Sequence, residues 1–126
     1  MDTRTLALTH AAGRIAVGVS LALAPGRVGR TWVGRASATP GTRVLTTAMG
    51  ARDVAIGMGL AAALRSGREP GDWVRAGVLA DAADLVATMR ARDDVPALSL
   101  VGVAVIASCS TALGVYLDRA LAQSAP

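Results

Sequence analysis

Five ionisable residues stand where the sequence around them is apolar: Arg14, Arg52, Asp53, Asp81 and Asp84. Each falls near the centre of a long apolar stretch, and a charge at that depth in a membrane costs about 3 kcal/mol on insertion scales. Five such residues at matching depth, on three stretches, point to one shared polar layer. Their spacing agrees. Asp81 and Asp84 are i,i+3 and share a helix face, along a stripe that Gly77 and Thr88 extend. Thr46, Gly50, Asp53 and Gly57 make a second stripe, with Arg52 on its flank, and His10, Arg14 and Gly18 make a third. Stripes that combine ionisable and small residues suit helices in close contact around a polar site.

Two arginines against three aspartates leave one carboxylate in excess. That group could exchange a proton with a substrate or hold a cation. Arg14 and Arg52 would orient or polarise an oxygen function, and Asp53, Asp81 or Asp84 would act as general acid or base in a dry pocket. Isomerisation, cyclisation or epoxide opening would suit such a site, since none needs a cofactor, and no cofactor is expected. Ser108, Ser110 and Thr111 on the last stretch could support the layer by hydrogen bonding. The same charges also admit a purely structural role, because buried Arg–Asp pairs can fix helix register without binding anything.

Other chemistries are weaker. Asp81-Ala82-Ala83-Asp84 has the spacing of carboxylate pairs that hold magnesium at a diphosphate, but Asp93-Asp94 lies too near the expected membrane surface to be its partner, and no metal is expected. With one His and one Cys, no nucleophile–base arrangement can be assembled. Cys109 reads as a small buried thiol among Ala107, Ser108 and Ser110. The net charge of +4 comes from arginine alone, with no aromatic residues interleaved and no basic run along a helix face, which argues against nucleic acid.

The elements that must position these residues follow from the apolar stretches, at about 5–24, 42–64, 72–89 and 96–121. Each is near the ~20 residues a helix needs to cross ~30 Å of hydrocarbon. Pro and Gly fall at the breaks, as at Pro25-Gly26, Pro40-Gly41 and Pro70-Gly71, and Asp72 is placed to N-cap the third helix. The composition agrees: 126 residues, 52% hydrophobic, 14 Gly and no Phe. Small residues let helix backbones approach closely in lipid, whereas a soluble core of this length draws on larger side chains. The expectation is an all-α, four-helix transmembrane bundle, one integral membrane domain over 1–126, with the lipid bilayer as its partner. A soluble helical protein with these charges on polar faces is the alternative.

Two segments qualify that layout. Ala22-Leu23-Ala24 has the form of a secretory cleavage site, but Pro25 follows and Arg14 interrupts the apolar run, so a retained first helix is expected. The segment from Pro25 to Pro40, with Arg27, Arg30, Trp32 and Arg35, reads as a short helix or loop lying at the membrane surface. Loops one and three carry six arginines against four in the termini and loop two. The excess puts those loops in the cytoplasm and both termini outside a multi-pass plasma-membrane protein.

Gly50-Ala51-Arg52-Asp53 with Gly57 and Gly59, Trp73 ahead of Ala80-Asp81-Ala82-Ala83-Asp84, and Leu23-Ala24-Pro25 with Trp32-Val33-Gly34 together cover most of the chain. This pattern resembles an uncharacterised family of small four-helix actinobacterial integral membrane proteins, whose layout is loosely similar to that of DoxX-like membrane proteins. The resemblance implies a membrane location and weight on Arg52, Asp53, Asp81 and Asp84; it implies no activity. Three functions remain open from sequence: a site for a lipophilic small molecule, with or without catalysis; a proton-linked carrier, which with four helices would work as a homodimer; and an accessory subunit or scaffold.

Overall fold

Proline stands at the start of four helices in this chain. In the computed structural model, which describes residues 2–123, α1 runs over Thr3–Leu23 and ends where Pro25 begins α2, Pro25–Val33. Pro at the first helical position loses no intrahelical hydrogen bond and has the right φ already. A short 3₁₀ helix, Gly34–Ala38, follows, and Pro40 opens α3, Pro40–Arg65, behind a Thr39 cap that accepts from Thr42 N. Pro96 precedes α5, Ala97–Gln123, and α4 spans Gly71–Arg90. The chain is therefore all-helical, with four long helices close to the expected stretches and a fifth, short one. Residue 1 and residues 124–126 of the expected 1–126 domain lie outside the described residues.

Two local expectations change. The third long helix was expected to be capped by Asp72. Instead Pro70 O already accepts from Trp73 N and Val74 N, so Pro70 is the N-cap and Asp72 lies in the first turn. There its charge complements the positive end of the helix rather than capping it. The segment after Pro25 is helical, and α2 stops at Gly34, whose φ of 60° belongs to the left-handed region that glycine enters without a steric penalty.

The helices associate as two antiparallel pairs, α1 with α3 and α4 with α5. The α1–α3 pair is in backbone contact. A methyl group built on Gly18 would stand 2.6 Å from Gly50 O, and one on Gly57 would stand 2.8 Å from Ala11 O. These glycines belong to the stripes read from sequence, and their close approach brings Arg14 and Asp53 within reach of each other. In the α4–α5 pair, Val78 packs onto Gly114. Across the two pairs, the Trp73 indole of α4 lies on Gly59 of α3.

Apolar packing is concentrated at one end. Ala7, Ala11, Leu60, Ala61, Leu64, Val74 and Leu117 form the core cluster there, and Leu60 and Leu117 are its largest fully buried side chains. Elsewhere much apolar surface faces outward, including Val44, Leu45, Met58 and Leu79. Two helices, α1 and α5, are long and apolar enough to cross a membrane.

Asp2 caps α1, accepting from Thr5 N at 2.7 Å and Thr5 Oγ1 at 2.9 Å. The Thr5 N–H holds its carboxyl below the ordinary carboxylate range. A lowered pKa means the cap is complete above the unfolded value and is lost as pH falls through the folded one. The Thr5 amide proton resonance is therefore expected to titrate with a midpoint below that of a free aspartate, and not in Asp2→Ala. For the close contact, Gly18→Val and Gly50→Val are each expected to lower stability by about 1–3 kcal/mol or more, read by unfolding in detergent. Gly41→Ala is the control, because a methyl group there meets nothing within 4 Å, and it should be neutral or stabilising.

Candidate functional site

Arg14 is the most buried charge in the structure, with its side chain 5% exposed. It projects from the middle of α1 toward α3 and α4, and its guanidinium lies over Gly77, in contact range of where a side chain there would begin. Nη1 donates to Asp53 Oδ1 at 3.1 Å. Nη2 donates to Asp81 Oδ2, with longer contacts to Gly77 O at 3.4 Å and Ser110 Oγ at 3.5 Å. One planar guanidinium thereby ties all four long helices together.

A second arginine extends the chain of charges. Arg52 grips Asp84 with both terminal nitrogens, at 3.0 and 2.7 Å, and donates to Asp53 Oδ1 through Nε and Nη2 at 3.2 and 3.1 Å. The order in space is Asp81, Arg14, Asp53, Arg52, Asp84. The five residues singled out from sequence do form one layer.

The pairing differs from the simple count. Two arginines were expected to neutralise two aspartates and leave the third alone. Instead Asp53 is shared by both arginines, so all three carboxylates have a guanidinium partner. The formal excess of one negative charge belongs to the network and not to a single residue. Some acceptor capacity is nevertheless unused. Asp53 takes its three bonds on Oδ1, and Asp81 takes its bonds from Arg14 and Ser110 on Oδ2. Asp53 Oδ2 and Asp81 Oδ1 accept nothing from the described residues.

Those aspartates line a partly open cleft of about 800 Å³. Arg14, Asp53, Asp81 and Asp84 form its polar floor, with Ser110 and His10 beside them. Its walls are apolar and come from α1, α2 and α5, through residues such as Val17, Val28, Val103 and Ile106. Arg52 is the one member of the layer that does not line it.

The cleft also shows what the sequence reading missed. Trp32 was assigned to a surface segment. It lines the cleft, and its Nε1–H donates to Thr88 Oγ1 at 3.0 Å, joining α2 to α4. Val28, Thr31 and Trp32, spaced i, i+3 and i+4, all face the cleft, so helical periodicity inside this short segment was the available signal. On α5, Ser110 supports the layer by donating to Asp81 Oδ2 at 2.6 Å. Thr111 makes no side-chain bond to the described residues, and Ser108 is exposed. Cys109, expected to be buried, is exposed, because it lies on the face of α5 turned away from the other helices. Among the described residues, no group of three or more His, Cys, Asp or Glu is placed to hold a metal ion. Asp81 and Asp84, the magnesium-like pair of the sequence, are engaged by different arginines.

No family model, curated protein or solved structure matches the chain. The site must be read from its own geometry.

Removing one partner of a buried ion pair strands the others, at a cost of about 3–5 kcal/mol. Arg14→Met is expected to destabilise by that order. Arg52→Met should cost less, because its side chain is 32% exposed and solvent can replace part of what it supplies. Chemical unfolding of the two variants in parallel checks the order; equal losses would contradict the central position given to Arg14.

Proposed function

We propose that this chain is a four-helix integral membrane protein of the plasma membrane that binds a lipophilic small molecule in the cleft above its Arg/Asp layer. The reading rests on one observation: an apolar-walled cleft of about 800 Å³ ends on aspartates whose Asp53 Oδ2 and Asp81 Oδ1 have no donor among the described residues. A ligand that fits has an apolar body and a hydrogen-bond-donating head, an amine or a hydroxyl. Ligand sites commonly combine apolar walls with a few placed polar groups.

The membrane part is supported by where the apolar surface lies. The apolar stretch of α5 is 11% buried inside the chain. The core helix of a soluble protein would bury most of such a stretch, and large exposed apolar faces in water need a cover. On this reading α3 and α4 also cross the bilayer, with their mid-helix charges paired to one another and to Arg14. The two ends of the molecule differ in arginine content, and on this reading the α1–α3 connection, with α2 in it, and the α4–α5 connection lie in the cytoplasm and both termini outside.

The same geometry supports proton-transfer chemistry on the bound molecule. A carboxylate oxygen in contact with a donor head is placed to take its proton as a general base, while Arg14 holds the charge that remains. Isomerisation, cyclisation and epoxide opening are reactions of this kind. A scaffold role is favoured by a separate observation, the engagement of every carboxylate by an arginine, and the test below separates the two.

Trp32 lines the cleft, so its fluorescence reports occupancy. In a Trp73→Phe background, a long-chain alkylamine is expected to change Trp32 emission saturably, an alkyl alcohol of equal length to do so more weakly, and the matching fatty acid anion least. Asp81→Asn should reduce the amine response with the helical content unchanged. Equal responses to all three probes, or an Asp81→Asn variant that binds as the parent does, would leave the scaffold as the better reading.

A further inference from the structure

A second cavity lies at the other polar region of the molecule, where α1 ends and α2 and α3 begin. It has a volume of about 720 Å³ and is lined by Arg27, Arg30, Arg35 and Arg43, with no acidic residue in its lining. The chain has no Asp or Glu between Asp2 and Asp53, so no carboxylate near in sequence can neutralise the four. None of the four arginine side chains has an ion-pair or hydrogen-bond partner among the described residues. Four guanidinium groups around one concavity repel each other, and no acidic group among the described residues pairs with them to offset that repulsion.

Two further features point the same way. Ser37 lines this cavity, is 3% exposed, and its hydroxyl makes no hydrogen bond to the described residues. The first turn of α2 also opens here, through Pro25 and Gly26, and α2 has no side-chain cap. Its positive end is therefore turned toward the same space, and the Arg43 side chain reaches across from α3 to lie beside Gly26.

From this convergence we propose that the arginine cavity is a binding site for a phosphate group. Guanidinium forks match phosphate oxygens in pairs, and the Ser37 hydroxyl supplies a neutral donor at the base. The phosphate can be carried by a lipid headgroup or be free in solution. Leu23, exposed at the rim of the cavity, gives an acyl chain an apolar path away from it. This site is separate from the Arg/Asp cleft and stands on the arginine geometry whether or not that cleft binds a ligand.

The test uses the full-length protein in a non-ionic detergent, titrated with short-chain phosphatidylglycerol, short-chain phosphatidylcholine and inorganic phosphate, with binding followed by calorimetry. Saturable phosphatidylglycerol binding is expected, weakened by salt, and reduced at least about tenfold by Arg30→Gln/Arg43→Gln. Arg27→Gln/Arg35→Gln is a second pair of exposed changes that should act in the same direction. Binding of inorganic phosphate with the same dependence assigns the site to the free anion; binding of phosphatidylglycerol alone assigns it to a lipid headgroup. Arg90→Gln/Arg92→Gln removes the same charge from the same end of the molecule and should leave binding within about twofold. The proposal is overturned if that control pair lowers affinity as much as the cavity pairs do. It is equally overturned if neither cavity pair lowers it, or if neither phosphatidylglycerol nor phosphate binds.

Discussion

A buried guanidinium must find acceptors for its donors, and in this protein that need determines where three other helices stand relative to α1. Arg14 is almost fully enclosed and reaches Asp53 on α3, Asp81 and Gly77 O on α4, and Ser110 on α5. Leaving it unpaired in a low-dielectric interior would cost several kcal/mol. The helices therefore have to pass at distances that let one side chain touch them all. Glycine makes those distances available. Gly18, Gly50 and Gly57 bring α1 and α3 into backbone contact, and Gly77 leaves room for the guanidinium against α4. The small residues and the charges are two parts of one device.

Sharing has a chemical consequence. With two arginines spread over three aspartates, no carboxylate is abandoned, yet none of the arginines can saturate both oxygens of Asp53 or Asp81. The unused oxygens belong to residues that line the cleft, and the saturated ones hold the helices. A single layer can in this way be structural through one set of atoms and available to a ligand through another. Arg52 stands outside the cleft and carries the remaining aspartate, Asp84, with a two-pronged grip.

The short helix α2 links the two polar regions. Val28, Thr31 and Trp32 look toward the Arg/Asp cleft, and Trp32 is tied to α4 through Thr88. Arg27 and Arg30 look toward the arginine cavity. Nine residues are enough to give one helix two distinct faces. On the proposed membrane reading, α2 separates a ligand cleft among the helices from a phosphate site at their end, and displacement of this one element would alter both.

Much of this was legible in the residues themselves. Apolar runs broken at Pro and Gly marked the four long helices to within a few residues, because proline and glycine act on the local backbone wherever they fall. The five charged residues could be named as one layer because their depth along each helix follows from counting. Local rules failed where a competing local bond won, as at Asp72, which Pro70 displaced from the cap. What counting could not supply was rotation and direction: which arginine reaches which aspartate, that Asp53 is shared, that Trp32 turns inward and that Cys109 turns outward. Those depend on how each helix is rotated against its neighbours, and that rotation is settled by the glycine contacts and the Arg14 hydrogen bonds acting together. The sequence by itself determined that a charged layer exists and which residues belong to it. Only the tertiary structure decided that the described residues leave two oxygens of the layer unclaimed beneath an open cleft.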